Sequence, residues 1–444
     1  MRHVAAPRGA VLILGLGMLS FIAVLLFLLA RSAVISNEKT KAMSLSDAAA
    51  KSVATWYAQI LNYDAYSNRA IAANEIMIAQ AVTLTAWTQY AKTLAQNIGT
   101  VASAVPAAQA LAGWIQESVH LGHEMAKVGA SIETPLRSAY AQMLHGSQQV
   151  MHAAATPFAA QAMVNEVVWS GDSRFFGQLI PSSSVSAFST FSANRSGADR
   201  APLAIMTEQS LDGFSRARSF DQRLYLMPSL GCIPTSVDSA FSKLIRRGGT
   251  WLSSDLSNWE AGDTLSIHSW RRRGRFNWRC SGLREAIPIA WGAADAGVAD
   301  GSQLSRDGAG LAANPSALSL ASNQAIPLNG YTGLSSYREL ALSADDSRQN
   351  ASVRVPVLVR LPLSKVQKIT AGQADLAGSS GRQPDKLWAL SVGELFFQRP
   401  VDTFSNPANR EFANLFAPFW SSRLVAPSVA DQSVAMLLSQ GARP

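Results

Sequence analysis

The sequence predicts an α+β protein: one transmembrane helix continuing into an elongated helical bundle, then a mainly antiparallel α+β domain. Three observations carry this expectation. Residues 10–30 (AVLILGLGMLSFIAVLLFLLA) contain no charge and no proline. No proline stands between Pro7 and Pro106, and no glycine between Gly17 and Gly99. After Gly171 the pattern changes to short β-type runs separated by Ser-, Gly- and Asn-rich stretches.

The apolar run follows a basic leader, residues 1–9. At 1.5 Å rise per residue it spans roughly 31 Å, the thickness of a bilayer's hydrocarbon core. It is longer than a secretory h-region, and cutting after Ala30 or Ala33 would place Leu28 or Arg31 three residues back, where a small residue is needed. We therefore read residues 10–30 as a retained anchor. Arg2 and Arg8 nearly balance Arg31, Lys39 and Lys41 under the positive-inside rule. The short leader and the export features below place the N-terminus in the cytoplasm and the bulk outside.

Residues 31–170 read as helical and alanine-rich. Ala42, Leu45, Ala49, Val53, Trp56, Ile60 and Tyr63 recur three and four apart, an amphipathic stripe that extends the anchor into a stalk. Asn62-Tyr63-Asp64 suggests a turn. Further helices are expected over about 68–98, 107–128 and 134–168, giving four in all. Residues 171–200 read as a Ser-rich linker. Strand-like runs follow over 223–226, 264–270, 275–280, 287–291, 352–361 and 387–397, and the second and third suggest a hairpin. They place the α+β domain at 201–425, with flexible loops near 292–324 and 370–384 and a tail over 426–444. Phe412, Leu415, Phe416, Phe419 and Trp420 are expected to cluster.

The composition, 48% hydrophobic against 15% charged over 444 residues, supports a sizeable core. The net charge of +8 is spread over 38 basic and 30 acidic residues and demands no polyanion. Two cysteines occur, Cys232 and Cys280. In the cytosol they would stay reduced; across the membrane they can pair. Two unrelated buried thiols are the alternative.

Chemistry-bearing patterns are sparse. His120-x-x-His123-Glu124 has metal-like spacing on a helix, and His145 and His152 lie on a later one, but the order is not His-Glu-x-x-His. Solvated polar-face residues are the plainer reading, and no metal or cofactor is expected. Arg271, Arg272, Arg273, Arg275 and Arg279 interleave with Trp270, Phe276 and Trp278. Such a patch suits contact with an acidic partner surface or protection of a strand edge; anionic lipid or glycan ranks next, and nucleic acid last. Gly-x-Ser-x-Gly and phosphate-loop motifs are absent. The Asp345-Asp346 pair sits in polar loop sequence. We expect no catalytic site and no small-molecule substrate.

Several blocks resemble one family. Arg8-Gly-Ala before the apolar run, Asn37-Glu-Lys-Thr, Asp47-Ala-Ala-Ala and Asn68-Arg-Ala-Ile-Ala-Ala-Asn-Glu-Ile76 resemble the TadG-like proteins of bacterial tight-adherence (Flp/Tad) pilus systems, in their long proteobacterial variant. Gly330-Tyr-Thr-Gly-Leu-Ser-Ser-Tyr337, Ala389-Leu-Ser-Val-Gly-Glu-Leu-Phe-Phe-Gln-Arg-Pro400, Asn414-Leu-Phe-Ala-Pro-Phe-Trp420 and Arg423-Leu424 resemble that group's later blocks. The resemblance implies a non-enzymatic component of pilus assembly or anchoring. It would be anchored in the inner membrane, face the periplasm and work with other pilus-assembly proteins. Many relatives end in a von Willebrand A-like domain. Here Asp300-Gly-Ser-Gln-Leu-Ser305 misses that domain's Asp-x-Ser-x-Ser metal spacing. Two other readings stay open. One is a minor pilin-like subunit cut after Gly9, although Leu14 stands where major pilins carry glutamate. The other is an anchored extracytoplasmic hydrolase or metal-binding protein using His120, His123 and Glu124.

Overall fold

The computed structural model describes residues 8–102, 106–180, 188–229, 231–272, 274–297, 304, 308–341, 351–362, 365–366, 386–398 and 412–439. Three helices come first: α1 (Arg8–Ala102), α2 (Pro106–Ala154) and α3 (Pro157–Gly171). Strands β1 (Phe176–Leu179) and β2 (Ser192–Arg195) follow, then helices α4 (Ala201–Gln209) and α5 (Gly213–Arg216). Next come β3 (Phe220–Pro228), β4 (Phe241–Leu252), β5 (Trp259–Arg272), β6 (Cys280–Ala296), α6 (Pro315–Asn323), β7 (Ile326–Leu328) and β8 (Tyr337–Leu340). The chain closes with β9 (Ser352–Pro362), β10 (Lys386–Phe397), β11 (Trp420–Val425) and α7 (Val429–Ser439).

The α+β class stands, but the helices and strands do not follow one another as bundle and domain. The chain divides into two compact units, each assembled from separated segments. One comprises Met1–Ala65, Val150–Ala193 and Leu340–Pro444; the other comprises Tyr66–Gln149 and Asn194–Glu339.

Near the N-terminus, α1 is long and apolar enough to cross a membrane, the one such helix among the described residues. Apart from half-buried Phe27, its large apolar side chains from Leu12 to Leu29 are exposed, as a lipid-facing surface requires. The helix then continues without the expected turn at Asn62-Tyr63-Asp64. Those polar side chains are used sideways instead: Asn62 hydrogen-bonds β11 and Asp64 bonds His152. Likewise α2 runs through Pro135, and the break falls at Thr156, whose hydroxyl accepts from the Ala159 amide at 3.2 Å ahead of Pro157.

In the first unit, β1, β9, β10 and β11 form an antiparallel sheet in the order β1-β9-β10-β11. Alternation along β9 sorts its side chains by face. Val353, Val355, Val357, Val359 and Leu361 join a core with Val53, Tyr57, Ile60 and Leu61 of α1 and Val164 and Val168 of α3. Leu358 faces the other way, toward Ala435 and Leu438 of α7 in the expected tail. The expected aromatic cluster forms in part: Trp420 is buried 5.3 Å from Phe397 and 5.6 Å from Phe191, while Phe412 stays half exposed.

In the second unit the order is β3-β4-β5-β6-β7, antiparallel until β7 joins β6 in parallel. Tyr90, Trp87 and Leu94 of α1 cover Leu265 and Ala290. Residues expected as loop, 292–324, are largely ordered structure. Residues 292–296 end β6, a 3₁₀ turn spans Gly308–Ala313, and α6 contributes Leu318 and Ala321 to a core with Ala293 and Leu311. The small side chains that suggested a loop are what allow these close layers. The Ser-rich linker likewise carries β1 and β2. The expected loop at 370–384 and the pair Asp345-Asp346 lie outside the described residues, as does most of the Asp300–Ser305 motif.

Both units close a strand edge with side chains of α1. Gln89, Thr93 and Asn97 stand four residues apart, about 6 Å along a helix, and alternate strand residues repeat at about 6.6 Å. The two spacings match. The Ala293 amide donates to Gln89 at 2.8 Å, the Trp291 amide to Thr93 at 3.0 Å, and Asn97 donates to the Ile289 carbonyl at 2.6 Å. In the first unit the Asn62 amide pairs both ways with the Trp420 backbone, at 2.9 and 3.0 Å, while Thr55 meets Ser422. Unpaired strand edges invite association, and here a helix satisfies them.

Candidate interaction surface

The arginine-rich segment sits at the end of the long β5–β6 hairpin. Arg271 and Arg272 end β5, while Arg275 and Arg279 lie in the connection; Arg273 is outside the described residues. Arg271, Arg272, Arg275 and Arg279 form no ion pair with the described acids, unlike Arg174, Arg218, Arg223, Arg246, Arg247, Arg354 and Arg423. Phe276 is 92% exposed and Trp278 57%. The Arg272 guanidinium lies 4.8 Å over the Trp278 ring, which orients the indole beside a cation.

A second chain segment braces this end. Cys232 and Cys280 form a disulfide across 5.0 Å between Cα atoms. The Ile233 amide donates to the Trp278 carbonyl at 2.6 Å and the Cys280 amide to the Ile233 carbonyl at 2.8 Å. The Trp270 amide donates to Ser229 Oγ at 3.3 Å. The result is a cationic, aromatic tip held rigid on two strands, suited to an anionic or acidic surface. The disulfide closes a loop with a sequence separation of 48 residues. In the chain-entropy model such a loop contributes about 4 kcal/mol. Replacing both cysteines by serine is expected to lower the denaturation midpoint of this unit and to speed tryptic cleavage at the tip arginines. Unchanged cleavage would show that the hydrogen bonds alone hold it.

The histidines do not assemble. His123 is buried, its Nδ1 is 3.1 Å from Thr88 Oγ1, and burial with Lys92 nearby pushes its pKa down. His120 is half exposed, 3.8 Å from Glu124, which also lies 3.6 Å from Lys92. His145 bonds Gln149 and His152 bonds Asp64 at 2.6 Å. Among the described residues no group of three or more His, Cys, Asp and Glu side chains can hold a metal.

Two of the buried carboxylates, Glu75 and Asp263, have no role among the sequence-based site expectations. Glu75 accepts from Trp259 Nε1 at 3.1 Å, Tyr331 Oη at 2.8 Å and the Ser335 amide at 3.1 Å; burial raises its pKa, and these donors oppose the rise. Its signal was available: it is the one charged residue between Arg69 and Lys92. Asp263 is fully buried against Arg218 and Arg246. Partners this distant in sequence, and on strands, leave no local spacing to read.

The blocks that carry the family resemblance pair off in space. Glu75 and Asn68 meet the Gly330–Tyr337 segment and Arg338 beside it. Asp47 accepts from Ser391, and Arg423 donates to Glu394 at 2.7 Å. Comparison with protein-family models, curated proteins and solved structures finds no match to this chain.

Proposed function

We propose that this chain is a non-enzymatic, membrane-anchored component of Tad/Flp pilus assembly or anchoring, with its N-terminus in the cytoplasm and its bulk in the periplasm. One observation carries the reading. The apolar segment of α1 continues unbroken into the helix on which both sheets are built, so anchor and scaffold are one element. The disulfide supports an oxidising compartment. The buried titratable groups Glu75, Asp263 and His123 are engaged in holding elements together, which suits a scaffold. The tip arginines would meet an acidic face of another assembly protein.

Deletion of the gene is expected to abolish pili and surface attachment, with rescue by the wild-type chain. A chain carrying Arg271→Glu, Arg272→Glu, Arg275→Glu and Arg279→Glu is expected to reach the membrane at normal levels and yet fail to rescue. Normal piliation in the deletion strain would overturn the reading; full rescue by the charge-reversed chain would remove the tip from it.

A further inference from the structure

α2 is turned inside out. The face it buries is polar and small: His123, Ala130, Thr134, Ala141 and Gln148 are buried, with His123 bonded to Thr88 of α1 and Gln148 to Ser67 and Asn68 of α1. The opposite face carries Leu121, Met125, Val128, Ile132, Leu136 and Met143, each more than half exposed. These are spaced three, four or seven apart, so they share one stripe. From Trp114, itself 70% exposed, to Met143 the stripe runs about 44 Å at 1.5 Å per residue. Between the large side chains lie Gly122 and Gly129, where an added Cβ would meet no atom. Exposed Glu117 flanks the stripe, three residues after Trp114 and four before Leu121; from Leu121 to Met143, about 33 Å, the large side chains have no charge among them. A soluble amphipathic helix does the reverse and turns such a face inward.

We propose that this stripe is the contact between two copies of the chain. Three features select a second copy over a different protein. The exposed side chains offer roughly 800 Å² of apolar surface per chain at about 200 Å² for a large side chain. A stable interface needs about 800 Å² from each partner, whereas a monomer's largest apolar patch is about 300–600 Å². The three-and-four spacing needs a facing helix with the same period over the same length, and a second α2 supplies it. From Leu121 to Met143 the stripe also meets its own copy without like-charge repulsion. Where α1 spans a membrane, copies share one orientation and one plane, which raises their effective concentration and favours a two-fold contact of stripe on stripe.

The test uses the full-length protein in phosphatidylcholine vesicles. Val128→Cys, Ile132→Cys and Ser131→Cys are made singly; the native cysteines are already joined, and Ser131 is exposed but off the stripe. Mild oxidation is expected to give a disulfide-linked dimer from Val128→Cys and Ile132→Cys, and little from Ser131→Cys. Adding Met125→Glu and Leu136→Glu to Val128→Cys is expected to cut the dimer band at least about tenfold, because each buried carboxylate appears twice at the seam. Circular dichroism should be unchanged, since both side chains are exposed in the single chain. If the doubly substituted chain misfolds, the cysteine pattern alone decides. Equal cross-linking from Ser131 and Val128, or no cross-linking at Val128 and Ile132, overturns the proposal. So does a stripe cysteine that links in native membranes only to a different polypeptide.

Discussion

Gly292→Ala is expected to destabilise the second unit by about 3 kcal/mol or more, at the upper end of overpacking costs. The added Cβ would lie 2.2 Å from the Ala86 carbonyl oxygen and 2.4 Å from the Tyr90 amide nitrogen, both helix backbone. Side chains can rotate away from a clash; a helix backbone held by the Gln89, Thr93 and Asn97 bonds cannot do so without breaking them. Gly393 repeats the arrangement in the first unit, 2.2 Å from the Ala50 carbonyl oxygen, so Gly393→Ala should behave alike. Gly282→Ala is the control. It lies on the same strand as Gly292, and its Cβ would meet nothing within 4 Å. Denaturation followed by tryptophan fluorescence should show a large loss for Gly292→Ala and a change within about 0.5 kcal/mol for Gly282→Ala. Equal behaviour of the two would mean that helix and sheet are not in the contact described.

The same close approach explains what the sequence could and could not reveal. The apolar run and the absence of proline from 8 to 105 made a long helix legible, because helix continuation is a local property. The β5–β6 hairpin was legible in part: a reversal after Trp270 was expected, but the run 275–280 expected as its second strand is mostly the connection, and Thr264–Trp270 pairs instead with Leu283–Trp291 of β6. The two-unit arrangement was not, because each unit joins segments hundreds of residues apart, such as Ser46 with Val357 and Glu75 with Tyr331. Reading polarity as exposure also misled at Asn62 and Asp64, whose side chains serve as lateral contacts of an unbroken helix. Read as loop, the stretch 292–324 shows the converse error: alanine and glycine there mark close layers. The arginine tip was legible as a cluster, while its bracing by Ser229, Cys232 and Ile233 depended on a segment some forty residues earlier.

Asp263→Ala is the second change expected to be severe, about 3–5 kcal/mol. The Asp263 carboxylate receives Arg218 Nε at 2.9 and 3.0 Å, Arg218 Nη2 at 2.9 Å and Arg246 Nη2 at 3.2 Å. Arg218 is as buried as its partner; its remaining N–H groups donate to the carbonyls of Phe214, Ser215 and Gly249. Carbonyl dipoles can solvate part of a guanidinium charge, but only the carboxylate balances it. Removing Asp263 therefore leaves a buried cation, and the penalty exceeds what the ion pair contributes over an apolar replacement. That asymmetry gives a sharp test. Asp263→Ala alone should cost most. Arg218→Met alone should cost less, because Arg246 still pairs with Asp263 and its guanidinium lies 4.6 Å over the Tyr90 ring. The double variant Asp263→Ala with Arg218→Met should recover part of the loss, giving a coupling of about 1–3 kcal/mol in a double-mutant cycle. Additive costs would show that the three charges do not act together, and that β4 and β5 are held by their ladder alone.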